Sequence, residues 1–241
     1  MTEQEFLAGY RPEAFDRPAV TVDLVLMTAS EGSLQLLLAK RLEHPHRGRW
    51  SLPGGFVGVD EDLERAARRV LRQKACLETA FLEQLATFGA VDRDPRMRVI
   101  TIAYFALLPP AAFDDALGAT NGLVLATIRG ADGDGVDIRA AGKKLSLAFD
   151  HPMIVAQAVA RLRGKLDYSD VAYALLPAEF TLRQLQEVHE TILGRPLNKP
   201  AFRKRMLDKG VLRATGRREQ GLSFRPAELY RYIGAPAGSA D

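Results

Sequence analysis

Residues Gly54 to Leu77 read GGFVGVDEDLERAARRVLRQKACL. Pro53 followed by Gly54 and Gly55 marks a tight turn, because glycines accept backbone angles and close approaches that side chains oppose. Apolar residues then fall at Leu63, Ala66, Ala67, Val70 and Leu71. This i, i+3, i+4, i+7, i+8 spacing predicts a helix with one buried stripe, so the segment needs an apolar surface to lie on. Upstream, Thr21 to Thr28 (TVDLVLMT) and Leu34 to Ala39 (LQLLLA) flank Ser30, Glu31 and Gly32, which predicts strand, turn and strand. Downstream, Val99 to Leu108 and Gly122 to Ile128 are further strand-like runs, while Gly130 to Gly135 (GADGDG) reads as a turn-rich loop. Residues 1–150 are thus expected to form a mixed α and β domain in which helices pack on a sheet.

The 241 residues are 47% hydrophobic and 26% charged, enough for one large domain or two ordinary ones with real cores. No apolar run approaches the roughly 18 residues that cross a bilayer, and MTEQEFLAGYRPEAF lacks the basic start and apolar stretch of a signal peptide. A cytoplasmic protein with no membrane partner is expected. The single cysteine, Cys76, excludes an internal disulfide, and the four histidines show no ligand spacing, so neither metal nor cofactor is expected. Charge is uneven: Arg195 to Tyr232 holds eleven Lys and Arg against three acids, a segment of +8 within a chain of +3, which leaves the remainder at −5. A basic module carried by an acidic one points to nucleic acid.

That module opens with FTLRQLQEVHETILGRPLNKPAFRKRMLDKGVL, Phe180 to Leu212. Thr181 is a good N-cap, Leu182, Leu185, Val188, His189 and Ile192 form a helical stripe, and Gly194 ends it. Asn198 caps a second helix with Pro200 in its first turn; Phe202, Met206 and Leu207 are expected on its buried side, Lys199, Arg203, Lys204 and Arg205 on the others. Gly210 closes it. The segment with Gly216 and Gly221, then Phe224 to Tyr232, reads as a two-stranded wing. Helix, turn, basic helix and wing make a winged helix-turn-helix, whose second helix enters the major groove while the wing touches phosphates. Such a module can also bind protein. The expected DNA contacts are Thr181, Asn198, Lys199, Arg203, Lys204, Arg217 and Arg218. Between the two modules, Pro152 to Leu166 reads as a helix, placed in a linking region 151–170 ahead of a DNA-binding domain at 171–241; the tail GAPAGSAD is expected to be disordered.

The opening stretch resembles the Nudix box, Gly-x5-Glu-x7-Arg-Glu-U-x-Glu-Glu-x-Gly-U with U aliphatic, at Gly55, Glu61 and Arg69, and GRWSLPGGFV (Gly48 to Val57) matches the usual approach to it. In that family the glutamates bind Mg²⁺ beside the diphosphate of a nucleotide substrate, since carboxylates at i, i+3 and i+4 share one helical face. Those positions here are Val70, Gln73 and Lys74, and the box glycine is Cys76. An apolar side chain, a neutral amide and an ammonium cannot replace metal-binding carboxylates, so no catalytic residues and a loss of hydrolysis are expected. Glu61 and Arg69 read equally well as a structural ion pair or as ligand contacts. Arg41, Arg49 and Arg69 are expected to line an effector site for a diphosphate with Gly54, Gly55, Phe56 and Glu61.

With LEQLATFGAVDRDPR (Leu82 to Arg96), LSLAFDH (Leu145 to His151) and the basic helix pair, the chain resembles along nearly its whole length the NrtR family of Nudix-related repressors of NAD metabolism. The resemblance implies an α+β protein: a Nudix-like α/β/α sandwich with a mixed sheet, then a winged helix-turn-helix. It implies a homodimer on a palindromic operator, released when ADP-ribose or a related nucleotide binds, with the 152–166 helix as transmitter. An active ADP-ribose hydrolase, a regulator answering to a sugar or other metabolite, and a protein-binding adaptor are the competing readings.

Overall fold

The computed structural model describes residues 1–78, 82–132, 135–219 and 226–234. A helix α1 (Glu3–Gly9) and a 3-10 turn (Pro12–Ala14) precede the sheet, and neither has a buried residue. β1 (Ala19–Ser30) and β2 (Ser33–Lys40) then pair antiparallel around Glu31 and Gly32, which take the left-handed angles a tight hairpin requires (φ 51° and 66°). β3 (Trp50–Ser51) pairs with β2, and β4 (Gly54–Phe56) with β1. α2 (Leu63–Ala75) starts where Asp62 Oδ1 accepts from Arg65 N at 2.8 Å and stops at Cys76, in the left-handed conformation at φ 55°. β5 (Glu83–Phe88), β6 (Val99–Leu107), α3 (Ala111–Ala119), β7 (Leu123–Asp132), β8 (Gly135–Ala140) and β9 (Lys143–Lys144) complete the domain.

The main sheet runs β5-β6-β1-β2-β7-β8-β9 and is mixed, with β1 and β6 parallel and the other pairs antiparallel. Alternation along β1 splits its side chains between two layers. Val22, Leu24 and Leu26 join Ala66, Ala67, Val70 and Leu71 of α2, whereas Val25 and Met27 join Ile154, Val155 and Leu162 across the other face. Burial of each larger aliphatic contributes about 1.5–3 kcal/mol, so the stripe foreseen in α2 is what holds it on the sheet. Helices on both faces of a mixed sheet give the expected sandwich.

Two expectations need correction. Gly130 is not in a loop: β7 continues to Asp132, and a register shift between Ile128 and Gly130 absorbs the extra residue as a bulge, a place glycine suits. Leu207 is not on the buried side of its helix, being 44% exposed.

α4 (His151–Lys165) covers the helix expected over Pro152 to Leu166, and its Ile154, Val155, Ala158, Val159 and Leu162 are wholly buried. After a 3-10 turn (Val171–Leu175) and β10 (Phe180–Thr181) come α5 (Leu182–Leu193), α6 (Lys199–Asp208), β11 (Leu212–Arg218) and β12 (Glu228–Tyr232). All five stripe residues of α5 are buried, and β12 pairs with both β11 and β10 to build the wing. Gly221, Phe224 and the tail beyond Gly234 lie outside the described residues. Among the described residues no helix is long and apolar enough to cross a membrane.

Candidate ligand pocket and nucleic-acid interface

Around the degenerate box, Gly54 sits opposite Asp23 in the β1–β4 pairing, where an added Cβ would lie 2.2 Å from Asp23 Oδ1 and 3.0 Å from the Val22 carbonyl oxygen. Only glycine fits there. A Cβ on Gly55 would stand 3.1 Å from Val70 Cγ2. Glu61 accepts from Arg69 Nε at 3.1 Å and from Gly58 N at 2.8 Å, while Arg69 also donates to the Phe56 carbonyl at 2.8 Å. These donors, Arg69 foremost, hold the Glu61 carboxyl at about 2. Glu61 and Arg69 therefore tie the 56–61 loop to α2, beside a shallow groove of about 510 Å³. The divalent ion of Nudix hydrolases does not fit here: Val70 is 1% exposed inside the core, and the exposed Gln73 and Lys74 bring an amide and an ammonium. Among the described residues no group of three His, Cys, Asp or Glu could hold a metal.

Next to this groove lies a cluster of cations and rings. Arg41 leaves β2 with its Nε donating to the Pro45 carbonyl at 2.8 Å and its guanidinium 4.7 Å from the Phe149 ring centre. His46 meets Phe149 edge-on at 4.8 Å. Arg96 grips Asp94 through two nitrogens, at 3.0 and 2.8 Å, and stands 5.5 Å from the ring of Phe56. Burial and then Arg96 lower the pKa of Arg41; burial and then Arg49 and Arg41 lower that of His46. Arg41, Arg49 and Arg96 thus share one field beside the exposed ring of Phe56, an arrangement suited to an anion joined to a flat group. The structure brings Arg41, Arg49 and Phe56 into one neighbourhood and places Glu61 and Arg69 beside it, paired with each other. Arg96, His46 and Phe149 were not among the residues nominated from sequence, although DRDPR and AFDH carried two of them.

Close to Arg41 is a buried charge cluster. Arg93 donates to both oxygens of Asp150 at 2.8 and 2.7 Å and lies 3.6 Å from Asp23, which accepts from Thr101 Oγ1 at 2.7 Å. His151, the first residue of α4, accepts from Leu52 N at its Nδ1 at 2.9 Å, so its proton sits on Nε2, 3.6 Å from Asp23. The cluster therefore fastens the start of α4 to β1 and β6.

Burial depresses the pKa of His151, against the opposing pull of Asp23 and Asp150. Below about 6.5 the unfolded chain binds a proton that the folded His151 refuses, so stability is complete above that pH and declines as pH falls. His46 and His189 are shifted the same way. Urea titrations from pH 7.5 to 5 should show falling stability, and His151→Gln should flatten the slope by up to about 1.4 kcal/mol per pH unit. An unchanged slope would place His151 in contact with water.

At the far end of α4, Lys165 Nζ lies 2.6 Å from Glu83 Oε2. Asp167 then accepts from Arg205 of α6 at 3.0 Å, and its carbonyl from Lys209 at 2.8 Å. Thr181 is 2% exposed and its Oγ1 accepts from Gln184 N at 3.2 Å, so it caps α5 and does not reach a groove. Asn198 is exposed and caps α6 by accepting from Ala201 N at 3.0 Å. Lys199, Arg203, Lys204 and Arg218 are exposed and make no ion pair among the described residues. Arg217 is engaged by Glu179 at 3.1 Å, as is Arg231 at 3.0 Å.

A Nudix-type sandwich with a cluster of arginines beside its box loop, leading through one helix to a basic winged helix, defines a class of two-domain proteins that join a nucleotide-binding fold to a DNA-reading one. A family model for the NUDIX domain matches residues 17–120, and one for the NrtR DNA-binding winged helix domain matches residues 172–232. The chain is 38% identical over 233 residues, 96% of its length and 88% of the relative's, to the ADPR responsive transcriptional repressor NtrR of Acinetobacter baylyi. Shewanella oneidensis NrtR complexed with a 27mer DNA matches with TM-score 0.74 and 35% identity, over 88% of this chain and 93% of that one. A MutT/nudix family protein of Enterococcus faecalis matches at 0.77 with 25% identity, over 96% and 94%. The chain belongs to the NrtR family.

Proposed function

We propose that this chain is a cytoplasmic repressor of NAD-metabolism genes that grips a palindromic operator as a homodimer and lets go when ADP-ribose or a related nucleotide fills the Nudix pocket. Residues 1–150 sense, 151–170 transmit and 171–241 bind DNA. The observation that carries this reading is the course of α4, which starts in the buried cluster close to Arg41 and ends where Asp167 holds Arg205 of the basic helix. The kinship supports it: the Acinetobacter baylyi relative bears the name of an ADPR responsive repressor, and the Shewanella oneidensis relative is seen with DNA. A ligand that shifts α4 changes the seat of α6, and a preference of a few kcal/mol for one geometry is enough to switch.

No hydrolysis accompanies sensing, because Val70, Gln73 and Lys74 cannot gather Mg²⁺ and a ligand that survives reports its own concentration. ADP-ribose should therefore bind without metal, its diphosphate met by Arg41, Arg49 and Arg96. Calorimetry on free protein and on the operator complex should show equal factors in both directions, DNA weakening ligand as much as ligand weakens DNA. Equal ligand affinity in the two states would sever pocket from winged helix. Release of AMP with Mg²⁺ at about 1 per second or faster would restore the enzyme reading.

A further inference from the structure

At about 100° per residue, Leu207 and Lys204 fall on the side of α6 opposite Phe202 and Met206, which are 3% and 1% exposed, with Arg203 adjoining them. Arg205 and Lys209 are turned toward Asp167, which engages both. The outward face is therefore narrower than the run of basic residues suggests; Lys204 stands at its middle, and between Lys204 and Arg203 lies an apolar side chain, 44% exposed. A single exposed leucine is ordinary on a protein surface. One flanked by Arg203 and Lys204, each about one helical turn away from it, is placed where the flanking cations draw in a nucleic-acid groove. The apolar feature that the major groove offers is the C5-methyl of thymine.

We propose that Leu207 reads a thymine methyl in each half-site, within a base pair or two of the bases met by Arg203 and Lys204. This rests on the DNA-binding reading above. Leu207 packs on the methyl and excludes water from it, and cytosine at that position would leave the leucine facing a polar edge. The side chain makes Leu207 a specificity-determining residue without any hydrogen bond.

Deoxyuridine differs from thymidine by that methyl alone. Replacing each operator thymine in turn, symmetrically in both half-sites, should reveal one position where wild-type affinity falls about fourfold per half-site and roughly 15-fold for the pair, the worth of one buried methyl at each. Leu207→Ala should bind the thymine and deoxyuridine operators equally at that position, with the same thermal midpoint as wild type because the residue is exposed, and Leu207→Met should keep part of the difference. If no thymine shows the effect in wild-type protein, or if the effect persists in Leu207→Ala, the inference is overturned while DNA binding stands. A chain that does not bind its own upstream DNA at all overturns the repressor reading and this inference together.

Discussion

Arg93→Ala should lower the free energy of unfolding by about 3–5 kcal/mol at neutral pH, the usual consequence of removing one partner of a buried ion pair. Its side chain is 4% exposed and those of Asp23 and Asp150 are 9% and 13% exposed, so the alanine variant keeps two carboxylates in the interior and no cation between them. Thr101 still donates to Asp23, but nothing replaces the two-nitrogen grip on Asp150. Arg93→Lys keeps the charge and loses the planar fork, and should fall between the two. Urea midpoints at neutral pH measure all three proteins. A loss under about 1 kcal/mol at neutral pH would mean that water reaches these carboxylates.

Signals that act within a few residues were legible in the sequence. The stripes of α2 and α5 follow from spacing, and the caps Thr181, Asn198 and Gly194 follow from side-chain chemistry next to a periodic run. Gly54 was legible as a turn residue, yet what forbids a side chain there is Asp23, thirty-one residues earlier, which only the β1–β4 pairing brings within reach. The cation cluster was half visible for the same reason. Arg41 and Arg49 lie in the approach to the box, whereas Arg96 arrives on the loop before β6 and Phe149 on the loop before α4. No periodicity announces that Arg96 and Phe149, more than fifty residues apart, both lie near Arg41. The cluster behind them, with Arg93 and Asp150 separated by 57 positions, is equally a product of the sheet. Thr181 failed as a DNA contact because a good N-cap turns its hydroxyl toward its own helix, and β10 buries what is left.

Operator preference should collapse in Arg203→Ala while general affinity for DNA changes little. Arg203 is exposed on α6, near its outward face, and is free of the Asp167 grip that engages Arg205 and Lys209. An arginine spanning the two acceptors of a guanine is worth about 1–3 kcal/mol of discrimination, and a dimer on a palindrome loses it twice, about 2–6 kcal/mol or a factor of roughly 30 to 10⁴. Arg218, exposed on β11, should behave differently. Its loss should weaken operator and unrelated DNA alike and reduce the slope of log affinity against log salt by roughly 2, at about 0.9 for each phosphate contact in the two subunits. Arg217 is engaged by Glu179, so its replacement should do less than that of Arg218 unless DNA draws it away. Anisotropy titrations of wild type and the three variants, on the operator and on a scrambled duplex at several salt concentrations, separate these outcomes. Equal weakening of both duplexes by Arg203→Ala would make that residue a phosphate contact and move the reading of bases elsewhere on the helix. A flat salt dependence of wild-type binding would remove the electrostatic grip on which the whole assignment of α6 and the wing depends.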